Sequence, residues 1–91
     1  MEYKESTKIK GLKILSPYIF HDFRGEYVET FRIDQYQFKD DQGNLISFVE
    51  DDISVSKYGT LRGLHGDSKT WKLIQCLWGE IYVAVVDMRI D

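Results

Sequence analysis

Most of the chain alternates apolar and polar residues with a period of two, the mark of half-buried β-strands. Over 26–33 the alternation puts Tyr27, Glu29, Phe31 and Ile33 on one face and Val28, Thr30 and Arg32 on the other. Over 46–56 it groups Val49, Ile53 and Val55 against Phe48, Glu50, Asp52 and Ser54. Residues 71–78 predict another strand, and Gly79-Glu80 a turn into a buried strand over 81–88. A strand-like start covers 9–15. The only helix expected is a turn or two over 35–39, capped by Asp34. The run Asp40-Asp41-Gln42-Gly43-Asn44 then reads as a loop. No repeat, low-complexity segment or linker interrupts the pattern, so a single domain over 1–91 is expected. Short strands at regular spacing between turn residues predict an all-β sandwich or barrel.

Composition narrows the class. The chain has 91 residues, 43% of them hydrophobic and 14% aromatic, with a single proline, which is globular rather than disordered usage. Net charge is −3 and no basic block stands out, so neither nucleic acid nor a membrane is an expected partner. The single cysteine, Cys76, excludes an internal disulfide framework. The opening residues MEYKESTKIK carry no signal-peptide pattern, and no apolar run is long enough to span a bilayer. A cytoplasmic location is the expectation.

The stretch from Gly59 to Gly79 carries the candidate chemistry. The cupin motif runs Gly, five residues, His, one, His, three or four, Glu, six, Gly. Here that frame is filled by Gly59, His65, Asp67, Lys72 and Gly79. The second His is replaced by Asp67 and the Glu by Lys72, so two metal-ligand positions hold other residues. An ammonium at Lys72 repels a divalent metal and stabilises an oxyanion instead. His65 is then available as a base rather than as a ligand.

The flanks make the likeness more specific. Residues 20–29 follow an F-x-D-x-R-G-x-x-x-E pattern ending in Arg24, Gly25 and Glu29. Ser54, Leu61-Arg62-Gly63-Leu64-His65, Lys72-Leu73, Gly79-Glu80 and Val86-Asp87-Met88-Arg89 follow in order. Together these resemble the dTDP-4-dehydrorhamnose 3,5-epimerase family over roughly residues 10–91. The resemblance implies part of a cupin-type double-stranded β-helix (jelly roll), and an isomerase with no metal and no cofactor. It implies 3,5-epimerisation of a nucleotide-linked 4-keto-6-deoxy sugar, in the synthesis of surface-polysaccharide sugars. His65 becomes the general base, Lys72 the stabiliser of the enolate, Arg62 a phosphate contact, and Arg24 and Glu29 contacts to the nucleotide portion. The family's usual Gln-x-Asn is Glu50-Asp51-Asp52 here. Glu50 and Asp52 therefore take the substrate-binding positions as acids, leaving dTDP, GDP or CDP open as the nucleotide.

The family's general acid, a Tyr, and the carboxylate that orients its base lie in the second half of the barrel. The chain is thus expected to be the front half of such a protein, with its last apolar strand needing further strands to cover it. Family members are dimers that exchange N-terminal strands, so a homodimer is expected.

Plainer readings stand beside these. Arg24 and Glu29 also fit an ion pair, and Lys72 a side chain lying over Trp71. Glu50 and Asp52 also fit a solvated face, and Asp67 fits a loop cap better than a metal ligand. His21 reads as a surface residue, Cys76 as a small packed hydrophobe, and Trp71 and Trp78 as core. The rival functions are a keto-isomerase or single-position epimerase on a GDP or CDP sugar, a non-catalytic half-cupin binding or assembly module, and a metal-dependent cupin oxygenase.

Overall fold

Asp22 and Gly25 pair across a two-residue turn made of Phe23 and Arg24. Asp in the first place and Gly in the fourth are the preferences of a tight β-turn. Gly25 has φ +133, a backbone conformation that a side chain rarely adopts. This turn closes one of three antiparallel hairpins seen in a computed structural model that describes residues 1–90. The expected end of the domain at Asp91 lies outside the described residues.

Strands β1 (Glu2–Glu5) and β2 (Lys13–Ser16) form the first hairpin, with Tyr3 opposite Leu15. The second joins β3 (Ile19–Asp22) to β4 (Gly25–Val28), with Phe20 opposite Tyr27 and His21 opposite Glu26. The third joins β5 (Phe38–Lys39) to β6 (Leu45–Ile46). The architecture is all-β, and among the described residues the sheets do not close into a barrel.

The small core lies at and just before the third hairpin. Tyr36 (2% exposed) and Ile46 (9%) are its buried hydrophobic residues. Phe31 packs on Tyr36 at 5.2 Å between ring centroids, and Tyr3 meets Phe38 edge-on at 6.1 Å, tying β1 to β5. Lys13 Nζ sits 5.2 Å from the Phe38 ring centroid, a cation–π contact.

The expected loop over 40–44 is the tip of the third hairpin. Asp40 Oδ1 accepts the N–H groups of Gln42 and Asn44 at 2.9 and 2.8 Å, and the Asp40 N–H bonds the Asn44 carbonyl at 2.9 Å. Gly43 supplies the positive φ (+82) that the tip requires.

Other expectations are corrected. The helix over 35–39 is a single turn: the Gln35 and Tyr36 N–H groups both bond the Arg32 carbonyl. Asp34 pairs with Arg32 at 2.9 Å instead of capping a helix, and Phe38 is drawn into β5. Strand pairing there overrides a weak local helix preference. The strand expected over 26–33 ends at Val28, and that over 46–56 is strand only at its start.

Residues 71–78 and 81–88 form no strand, although the turn between them survives as a bend with Gly79 at φ +79. Alternation assigns faces, but a strand also needs a neighbour for its backbone groups, and none of these segments has one. Their apolar side chains are accordingly exposed, Val49 at 93% and Trp78 at 95%. Trp71 and Trp78 are not core, and Cys76 is exposed rather than packed.

Candidate active site

The β3–β4 turn presents Arg24. Its Nε and Nη2 donate to Asp22 Oδ2 at 3.1 and 2.6 Å, and its backbone N–H donates to Asp22 Oδ1 at 2.8 Å. The guanidinium also lies 5.8 Å from the centroid of the exposed Phe23 ring. These bonds, led by the guanidinium, hold the Asp22 carboxyl below its ordinary range. Arg24 therefore pairs with Asp22 and not with Glu29.

Arg24 lines a shallow cleft of about 340 Å³ with Phe20, His21, Asp22, Glu26 and Tyr27. Glu29 lines a second cleft of about 220 Å³ with Tyr18, Phe20 and Tyr36, so Phe20 is common to both. His21 is exposed as expected, with Nδ1 3.6 Å from Glu26 Oε1 across the hairpin.

Glu50 and Asp52 lie two residues apart in an exposed segment. A hydrogen bond to Asp52, reinforced by charge repulsion between the two carboxyls, raises Glu50 above its ordinary pKa. Both residues are exposed, as the plainer reading of this pair has it.

The loop carrying the cupin-like frame begins with Arg62. Its Nε donates to Ser56 Oγ at 2.8 Å and its Nη2 to the Val55 carbonyl at 3.5 Å. Gly63 has φ +101, and a Cβ built there would come within 3.9 Å of His65 Nδ1. That is ordinary contact, so it is the positive φ rather than lack of space that favours glycine at 63.

Asp67 caps its loop, as the sequence suggests: Oδ1 accepts the Lys69 and Thr70 N–H groups at 2.8 and 2.6 Å. These bonds lower its pKa, and the charge of Lys72 lowers it further. Asp67 is thereby committed to the loop backbone. Among the described residues, no three His, Cys, Asp or Glu side chains gather in a set able to hold a metal ion.

The candidate residues fall into three groups: the β3–β4 hairpin, the Glu50–Asp52 pair and the 62–72 loop. Neither cleft is lined by Arg62, His65 or Lys72. Side-chain bonds tie the last segments back: the Gln75 amide donates to the Thr30 carbonyl, just beyond Glu29, and Arg89 Nη2 donates to the Lys10 carbonyl at 2.7 Å.

The residues holding the two arginines, Asp22 and Ser56, are not singled out by sequence reasoning. For Asp22 the signal was available, because an acid two places before Arg at a Gly turn is within side-chain reach. For Ser56 there was none, since it reaches Arg62 only through the turn closed by Thr60 N–H to the Lys57 carbonyl at 3.1 Å.

These features define an all-β chain that presents its cationic, imidazole and carboxylate groups from turns and loops. Residues 6–91 match the family model described as dTDP-4-dehydrorhamnose 3,5-epimerase, and the chain belongs to that family. It is 38% identical to the dTDP-4-dehydrorhamnose 3,5-epimerase of Salmonella typhimurium, over 91% of this chain and 46% of the relative. The enzyme of the same name from Escherichia coli is 38% identical, over 91% and 45%. That from Methanothermobacter thermautotrophicus is 36% identical, over 91% and 44%. The chain thus spans about half the length of these relatives. No solved structure matches it significantly. No helix among the described residues is long and apolar enough to cross a membrane.

Proposed function

We propose that the protein epimerises a nucleotide-linked 4-keto-6-deoxy sugar at the carbons flanking its keto group. Membership of the epimerase family over residues 6–91 carries this reading. The keto group acidifies its neighbouring carbons, so the chemistry is proton transfer without redox change. The imidazole of His65 removes the C–H proton, and the electron pair moves onto the keto oxygen as an enolate. Lys72 stabilises that negative charge. Return of a proton to the opposite face of the carbon completes the inversion. The resemblance assigns the proton donor to a Tyr in the second half of the family's barrel.

Arg24 and Arg62 bind the pyrophosphate and nucleotide portion, which suits their forked donors. Glu29 contacts the nucleotide, and Glu50 and Asp52 occupy the positions of the family's amides. The chain works as one cupin-type domain, in the cytoplasm and as a homodimer.

The test is incubation with a 4-keto nucleotide sugar in D₂O. Deuterium is expected at C3 and C5, and His65→Asn is expected to slow its entry by about 10²–10⁴-fold. Lys72→Met is expected to cost about 10²–10³-fold. No deuterium with any of the dTDP, GDP or CDP sugars sinks the reading.

A second reading, a non-catalytic binding module, draws on the separation of His65 and Lys72 from both clefts. Nucleotide-sugar binding without exchange would select it.

A further inference from the structure

We propose that Asp22 is a positioning residue that aims Arg24 at the anionic group of a bound nucleoside diphosphate. The inference rests on the reading of Arg24 as a nucleotide contact. Asp22 accepts from Arg24 at three points, its backbone N–H, Nε and Nη2, at 2.8, 3.1 and 2.6 Å. The backbone bond fixes the turn, while the two side-chain bonds fix the orientation of the guanidinium. Phe23 closes one side of that group, with the guanidinium carbon 5.8 Å from its ring centroid.

A guanidinium has five N–H donors, and Asp22 engages Nε–H and one on Nη2. The remaining N–H groups lie on the edge turned away from the carboxylate. They form a planar fork of the kind that grips phosphate oxygens. Asp22 and Arg24 line the same shallow cleft beside Tyr27 and Glu26, and the Arg24 side chain is exposed to an incoming ligand. An arginine on an exposed turn would otherwise sample many rotamers, and ordering it on binding costs affinity. The carboxylate removes part of that cost in advance. The device is independent of pH over the neutral range, because the Asp22 carboxyl ionises below its ordinary range.

The experiment titrates dTDP, GDP and CDP into the full chain as wild type, Asp22→Asn, Arg24→Ala and the double variant, by calorimetry. Asp22→Asn keeps an oxygen for the Arg24 backbone N–H and removes the charge that orients the guanidinium. Arg24→Ala is expected to weaken binding by about 10- to 100-fold and Asp22→Asn by about tenfold. The double variant is expected to bind no more weakly than Arg24→Ala alone, because Asp22 then has nothing to aim.

Additive losses in the double variant overturn the inference, since a turn-closing role alone acts whether or not Arg24 is present. Wild-type or tighter binding by Asp22→Asn, with Arg24→Ala weakened, overturns it too, the tighter binding showing Asp22 competing with the ligand. Arg24→Ala binding like wild type, or a wild type that binds none of dTDP, GDP and CDP, removes the underlying reading of Arg24 and the inference with it. Backbone amide spectra report whether the β3–β4 turn is intact. If Asp22→Asn disturbs it, Asp22→Ser, which also places an oxygen at the first turn position, is read by the same criteria.

Discussion

Side chains in this protein are held chiefly by neighbours two to four residues away. Asp22, Asp40, Asp67 and Asp87 each accept nearby N–H groups, and each carboxyl is lowered, Asp87 to about 2 by Arg89. A depressed carboxyl pKa contributes stability above the unfolded value that is lost as pH falls through the folded value. These turns therefore hold at neutral pH and loosen in acid, the Asp87–Arg89 bonds last, near pH 2.

Glu50 runs the other way. Its pKa is raised, so its proton is retained while the pH is below that value, and its bond to Asp52 is lost as pH rises through it. Asp52→Asn is expected to bring the Glu50 titration midpoint, followed by carboxyl ¹³C shifts, down toward that of an ordinary glutamate. An unchanged midpoint would show that Asp52 is not the cause. At this scale the sequence was informative wherever a short polar residue precedes a turn, as with Asp67. Asp22 as the holder of Arg24 was within reach of the same reasoning but went unread, because a motif names residues without saying which of them bond each other, whereas Ser56 as the holder of Arg62 left no signal at all.

Hairpins are the units of structure, and their turns were more legible than their strands. The 40–44 tip and the Gly79 bend follow from local residue preferences, which need no partner. The strands over 46–56, 71–78 and 81–88 were read from alternation, which is equally satisfied by a segment with no neighbour to bond. The third hairpin shows what pairing adds: its tip is closed by Asp40, and Tyr36 and Ile46 are buried beside it. Gly43→Ala is expected to destabilise this unit by about 1 kcal/mol, because φ +82 is strained for a residue with a Cβ. Urea unfolding of the full chain checks this, with a lower midpoint and an unchanged slope as the expected result. Tyr36→Ala is expected to cost more, about 3 kcal/mol, since it empties the centre of the core.

Taken whole, the molecule is open. Its radius of gyration is 15.2 Å, against about 12 Å for a compact domain of this length. Its accessible surface is 9232 Å², against about 5500 Å² for a compact monomer of this size. Much of the excess is apolar, carried by residues 49–90. Surface of this kind drives association, so light scattering across a dilution series is expected to show a mass that rises with concentration. A constant monomer mass would contradict both that expectation and the proposed homodimer. The all-β class was legible in the alternation, whereas the openness was not, because closure depends on which segments meet rather than on what each contains.

Cys76 is exposed, and its thiol lies 3.4 Å from the carbonyls of both Trp78 and Gly79. Its neighbour Gln75 makes the bond to Thr30 that ties this segment to the end of β4. As the chain's single thiol, Cys76 accepts one maleimide dye at a defined address with no engineering. A fluorophore there sits one residue from the Gln75 bond to Thr30, and energy transfer to it from a second label placed on the first hairpin reports the segment leaving or rejoining Thr30. Docking of the second half of the molecule onto the first thereby becomes an optical signal that can be followed in real time.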